Sequence, residues 1–131
     1  MLKLSAFLRP FAFVFFAVGL LHLALGPGAD VLLGAELSGA SRSDPVLDSQ
    51  NRFYGVSFML YGALFQLCAD DLRKHAAVFR ITCIFFLLGG LARLVSIAAV
   101  GLPSVPILAL MASEIIGGPL LLWWHARTTR D

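Results

Sequence analysis

Five residues hold most of this sequence's capacity for chemistry: His22, Asn51, Arg52, Arg93 and Glu114. Each sits in or at the edge of an apolar stretch. Residues 10–29 form a run of 20 without Asp, Glu, Lys or Arg, and residues 53–69 a run of 17. Residues 81–100 are apolar apart from Arg93, and residues 105–124 apart from Glu114. In such surroundings a guanidinium and a carboxylate can pair, hold a polar headgroup or pass a proton. An imidazole and a carboxamide add hydrogen bonds. A charge turned toward lipid costs roughly 2.5–3.5 kcal/mol even on lenient scales, so these side chains must face inward.

Helical stretches of about 20 apolar residues are long enough to cross a bilayer. Membrane strands would alternate apolar and polar residues over about 10 positions, and these stretches do not. The expected elements are four spans at 8–26, 50–69, 77–100 and 104–125, with a long outer loop over 27–49. Gly26-Pro27-Gly28 ends the first span, and Asp44-Pro45 followed by Asp48 or Ser49 offers a start for the second. Gly101-Leu102-Pro103-Ser104 makes a tight hairpin with Ser104 as N-cap of the last span. In the outer loop, Val31-Leu32-Leu33 forms an apolar patch suited to a solvated loop's small anchor or to a cap on the bundle mouth. Lys3 and Arg9 before the first span resemble a signal peptide's start, but no Ala-x-Ala site follows, so the stretch is read as a span.

The hairpin brings two charges together. Arg93 lies seven residues inside Val100 and Glu114 nine inside Val105. At helical rise these are depths of roughly 10 and 13 Å, which predicts an Arg93–Glu114 ion pair. His22, Asn51 and Arg52 fall at a similar level in the outer half. Asp48 and Arg52, four apart, can pair at the start of the second span. Each span also carries a stripe of small and polar residues at helical spacing: Phe15, Gly19, His22, Gly26; Asp48, Arg52, Gly55, Met59, Gly62, Gln66; Thr82, Phe86, Gly89, Arg93, Ser96; and Leu110, Glu114, Gly117, Leu121. Such faces are expected to point inward, where small residues allow close approach.

Composition agrees with a membrane setting. The 131 residues are 59% hydrophobic and only 14% charged, with a mean hydropathy of +0.85. An average soluble domain is about 25% charged, so disorder, a basic nucleic-acid binder and a disulfide-stapled domain are excluded. Lys3, Arg9, Arg73, Lys74, Arg80, Arg127 and Arg130 all fall on one side of a four-span chain. Arg42 and Arg52 fall on the other, among Asp30, Glu36, Asp44 and Asp48. The positive-inside rule therefore places both termini in the cytoplasm, with Trp123 and Trp124 at the inner interface. Cys68 and Cys83 are not in a Cys-x-x-Cys arrangement and read as buried thiols. His22, His75 and His125 are spread over both sides, so no metal or other cofactor is expected.

Leu47-Asp48-Ser49-Gln50-Asn51-Arg52-Phe53-Tyr54-Gly55, together with Gly26-Pro27-Gly28, Gly89-Gly90-Leu91-Ala92-Arg93 and a glutamate in the last helix, resembles a bacterial domain-of-unknown-function family, number 4345. The resemblance covers nearly the whole chain. It implies a small four-helix protein of the bacterial inner membrane, broadly similar to DoxX-like proteins in architecture, and brings no activity with it.

The expected fold is thus an all-α, four-transmembrane-helix bundle forming one domain over 1–131, with a polar interior in its outer half. The expected function is binding of an amphipathic molecule (a lipid, isoprenoid or quinone) by His22, Asn51, Arg52, Arg93 and Glu114. The alternatives are a proton-linked transporter acting as a homodimer, with Glu114 as the exchanging carboxylate, and an accessory or assembly subunit of a larger membrane complex. Catalysis is the weakest alternative, and no nucleic-acid partner is expected.

Overall fold

The computed structural model describes residues 2–129. Six helices follow one another: α1 (Leu2–Leu25), α2 (Pro27–Leu32), α3 (Gly39–Arg42), α4 (Pro45–Asp70), α5 (Ala76–Val100) and α6 (Val105–Thr128). The described residues contain no strand. Three helices are long and apolar enough to cross a membrane, over Lys3–Leu25, Ala76–Val100 and Val105–Thr128. The fourth long helix, α4, is not among them. It has 26 residues, but Asp48-Ser49-Gln50-Asn51-Arg52 makes its early turns polar. Arg130, counted among the basic residues above, lies outside the described residues.

Helix boundaries differ from the sequence expectation for identifiable reasons. The first helix starts before residue 8 because Leu4 and Leu8 are completely buried and extend an inward stripe through Ala12 and Phe15. α4 starts at Pro45 rather than residue 50. The Asp44 carboxylate accepts the backbone N–H groups of Val46 and Leu47, each at 2.9 Å, and Pro45 occupies the first helical position. Ser104 precedes α6 without capping it, since its hydroxyl donates to the Leu33 carbonyl instead. That bond ties the α5–α6 turn to the segment after α2. The expected outer loop over 27–49 therefore contains two short helices.

The four long helices form two antiparallel pairs. α1 packs on α4 through glycines: a Cβ on Gly19 would lie 2.5 Å from the Gly55 carbonyl oxygen. A Cβ on Gly55 would lie 2.6 Å from the Gly19 carbonyl oxygen and 2.7 Å from the Leu23 nitrogen. Further along, a Cβ on Gly62 would approach the Ala12 carbonyl oxygen to 2.9 Å. α5 and α6 use the same device, with Gly90 against Ile115 and Gly118 against the Cys83 carbonyl. Small residues thus set the separation within each pair.

Between the pairs the spacers are large. Phe11, Phe15, Phe65, Phe79 and Phe86 interlock, with ring centroids 5.1 to 6.3 Å apart. Leu4, Leu8, Leu121, Cys68 and Cys83 complete this core. Both cysteines are free and buried. The aromatic core fills the half of the bundle nearer the termini. In the other half the two pairs are separated by a cavity.

Adding a methyl group at a glycine interface distinguishes the two kinds of contact. Gly55→Ala is expected to destabilise the protein by about 1–3 kcal/mol, because backbone atoms must give way. Gly39→Ala, where a Cβ meets nothing within 4 Å, should leave stability unchanged. Thermal unfolding in detergent, followed by circular dichroism, measures both.

Candidate functional site

The cavity measures about 580 Å³ and draws its lining from α1, α4, α5, α6 and the α2 segment. Small-molecule sites typically span about 300–1,000 Å³. Val18 and His22 come from α1, Asp30 from α2 and Leu33 from just beyond it. Asn51, Tyr54, Ser57, Phe58 and Tyr61 come from α4, Ala92, Arg93 and Ser96 from α5, and Ile107 and Leu110 from α6. A smaller space of about 170 Å³ shares Phe58, Tyr61 and Arg93 with it and runs toward Phe15, Phe86 and Glu114.

One wall carries the predicted ion pair. Arg93 Nε donates to Glu114 Oε2 at 2.8 Å and Nη2 to Oε1 at 3.3 Å. Glu114 is buried, while the Arg93 side chain keeps 29% of its surface and faces the cavity. Gly89 and Gly90 of α5 sit directly against the glutamate, so helix proximity and charge pairing coincide. A two-pronged contact of this kind fixes the guanidinium plane and neutralises its charge.

The opposite wall carries a second polar contact, between His22 and Asp30, that the sequence did not announce. His22 Nδ1 lies 2.9 Å from the Val18 carbonyl, which can only accept, so Nδ1 holds a proton. His22 Nε2 then faces Asp30 Oδ1 at 3.4 Å. A favourable contact there needs one more proton, on the imidazole or on the carboxyl group. The ring also stacks on Phe58, with centroids 6.0 Å apart. Asp30 reaches this position because Gly26, at φ 54°, turns the chain sharply from α1 into α2.

Asn51 lies between these walls and is 8% exposed. Its side-chain oxygen has no hydrogen-bond partner among the described residues. Such an atom is costly to bury and is usually satisfied by a protein group, water or ligand.

Arg52 is placed elsewhere. Its Nε and Nη2 donate to Asp48 at 2.8 and 3.0 Å, and Nη1 donates to the carbonyls of Leu23 and Ala24 at 2.6 and 3.3 Å. The guanidinium therefore closes the C-terminal end of α1, where carbonyls lack helical partners. It does not line the cavity. Of the five predicted residues, the structure gathers His22, Asn51 and Arg93 on the cavity, sets Glu114 behind Arg93, and uses Arg52 as a clasp between α1 and α4.

The cavity residues missed from sequence are Asp30, Tyr54, Ser57, Phe58 and Tyr61, whereas Ser96 is on the stripe expected to face inward with Arg93. Asn51, Tyr54, Phe58 and Tyr61 step by three, four and three, so their shared face was readable. It lies one residue beside the glycine stripe, which packs on α1. Among the described residues, no group of three His, Cys, Asp or Glu side chains comes together as a metal site.

The fold and cavity define a small all-helical protein with membrane-length helices, its long helices arranged as two pairs around a chamber lined by both apolar and polar side chains. The chain belongs to the family called domain of unknown function (DUF4345), whose family model matches residues 4–125. No curated protein and no solved structure matches it.

The ion pair should behave as a unit. Glu114→Ala leaves the half-buried Arg93 guanidinium without its partner and is expected to cost about 1–3 kcal/mol. The double variant Arg93→Met/Glu114→Leu should recover most of that loss. Thermal unfolding of the single and double variants checks this coupling.

Proposed function

We propose that the protein binds an amphipathic molecule with an uncharged polar headgroup, such as a quinone, isoprenoid alcohol or other neutral lipid, in the chamber between the helix pairs. The observation that carries this reading is the unpartnered Asn51 carboxamide on the wall of the cavity. Charge supports the class of headgroup. Arg93 is neutralised by Glu114, His22 faces Asp30, and Arg52 is held by Asp48. A hydroxyl can donate to the free Asn51 Oδ1, and a hydroxyl or carbonyl oxygen can accept from Arg93, without adding net charge to the site. An anionic headgroup would find no uncompensated cation among these residues. The phenyl faces of Phe15, Phe58 and Phe86 beyond Arg93 suit a hydrocarbon or prenyl tail.

In this reading α4 crosses the bilayer with α1, α5 and α6, giving a four-span protein. Its polar early turns face the chamber and the outer surface rather than lipid. The clustering of Lys and Arg at the end bearing the termini favours that end facing the cytoplasm, with the chamber toward the outer leaflet of a bacterial inner membrane.

A specific contact favours a second reading, proton-linked transport. Glu114 is committed to Arg93, so the group placed to exchange protons is the His22–Asp30 couple, which gains a hydrogen bond when one more proton is bound. A pH gradient across proteoliposomes would then drive substrate flux that His22→Gln abolishes.

For the binding reading, the protein is extracted in polymer-bounded lipid discs and its retained small molecules are measured by native mass spectrometry. A neutral amphiphile should co-purify. Asn51→Leu should reduce its retention about tenfold, while stability stays equal or rises because an unsatisfied buried amide is removed. Absence of any such molecule, or unchanged retention in the folded variant, rejects the reading.

A further inference from the structure

A second cavity, of about 410 Å³, lies at the other end of the molecule, where α5 begins and α6 finishes. Arg73, Ala76 and Arg80 line one side, and Leu122, His125 and Thr129 the other. Nothing in the chamber described above uses these residues. Their charge is one-sided. Neither Arg73 nor Arg80 pairs with an acidic group among the described residues, and the two carboxylates just upstream are already engaged. Asp70 pairs with Arg9 at 2.9 Å. Asp71 accepts the backbone N–H groups of Lys74 and Arg73 at 2.9 and 3.1 Å, which holds its carboxyl below the ordinary carboxylate range.

The cavity has a fixed frame. His125 is buried, stacks on Phe79 at 4.8 Å and donates Nε2–H to the Leu72 carbonyl at 3.2 Å. Leu72 is itself buried. The turn that presents Arg73 is thus pinned to α6 by the residue before it. Arg80 is four residues beyond Ala76 on α5, so both lie on one helix face. α5 has 25 residues and no side-chain cap at its start, so its free N–H groups add positive potential at this end. The opposing α6 terminus is blunted, since the Thr128 and Thr129 hydroxyls bond the His125 carbonyl.

We infer that this cavity binds a phosphoryl group through Arg73 and Arg80, with the headgroup of an anionic phospholipid as its natural source. Guanidinium forks match phosphate oxygens. Leu122 and the neighbouring exposed Trp123 provide apolar surface beside the site for an acyl chain. Basic recesses between membrane helices commonly hold anionic headgroups. Arg127 at the same end is a useful contrast, since its guanidinium stacks 4.5 Å from the Trp123 ring centroid and does not line the cavity.

The test titrates the detergent-purified protein with phosphatidylglycerol or phosphatidylcholine and counts bound lipids by native mass spectrometry. Phosphatidylglycerol should bind the more tightly. Each of Arg73→Gln and Arg80→Gln should weaken it about fivefold, and the double variant about 25-fold. Arg73→Lys/Arg80→Lys, which keeps the charge but loses the planar fork, should restore only part of the affinity, and Arg127→Gln should leave it unchanged. Displacement of the lipid by excess inorganic phosphate would support a site that takes the phosphoryl group from either source. Resistance to displacement would support the lipid as the sole source. The inference is overturned if the double Gln variant, shown folded by its thermal transition, binds phosphatidylglycerol as the parent does. It is equally overturned if Arg127→Gln weakens binding as much as the other two, as diffuse surface attraction would require.

Discussion

The structure depends on a mismatch of side-chain size. Glycines let α1 approach α4, and α5 approach α6, until backbone meets backbone. Phenylalanines hold the two pairs apart. Where the rings interlock, the space between pairs is filled. Away from the termini the rings of Tyr54, Phe58 and Tyr61 are interspersed with Val18, Ser57, Ala92 and Ser96, which are too small to close it. The cavity is the space left by two incompatible separations, and it persists because neither can relax alone. Interiors are close-packed and do not deform continuously, so shrinking the chamber would require repacking the aromatic core.

Electrostatics then determines what such a chamber can hold. Ionisable groups in an apolar bundle are tolerated when paired, and pairing fixes their geometry at the cost of their reactivity. Arg93 with Glu114, and His22 with Asp30, each bring one potential cation and one potential anion to the chamber or its wall. Asn51 is the unpaired polar member. In the proposed reading the free Asn51 carboxamide makes hydrogen bonding, rather than charge, the basis of recognition. At the far end Arg73 and Arg80 pair with no acidic group among the described residues and lie beside apolar surface. The chamber with Asn51 and the recess with Arg73 and Arg80 thus lie at opposite ends of the molecule.

Much of this was legible in the sequence, and the boundary between what was and was not is physical. The Arg93–Glu114 pair followed from counting residues back from a tight hairpin, because helical rise converts sequence distance into depth and a short turn fixes register. His22 and Asn51 were placed at the right level by the same arithmetic. Arg52 was assigned to the cavity because depth alone does not reveal azimuth. Its partners, the Leu23 and Ala24 carbonyls, come within reach only because Gly19 and Gly55 allow α1 and α4 to touch. The stripe containing Gly55 and Gly62 was read as facing the interior, and it does face protein, but that protein is α1 and not the chamber. Asp30 escaped notice because a loop has no periodicity to read. Its place is set by one positive-φ glycine and by the Ser104–Leu33 bond, which joins residues 71 apart. The helix starts at Pro45 and Leu2 were hidden by polar or charged residues that hydropathy counts against a span. Capping by Asp44 and burial of Leu4 and Leu8 override that signal.

The central claim is that the chamber between the pairs is built to be filled by a molecule with a polar head and an apolar body. An experimental density map of the protein in native-lipid discs tests this most directly. Elongated non-protein density is expected, with its polar end within hydrogen-bonding distance of the Asn51 carboxamide and its body running past Arg93 toward Phe15 and Phe58. Isolated water-sized peaks in the chamber, or α5 and α6 closed onto α1 and α4 with Asn51 bonded to a protein group, would contradict it.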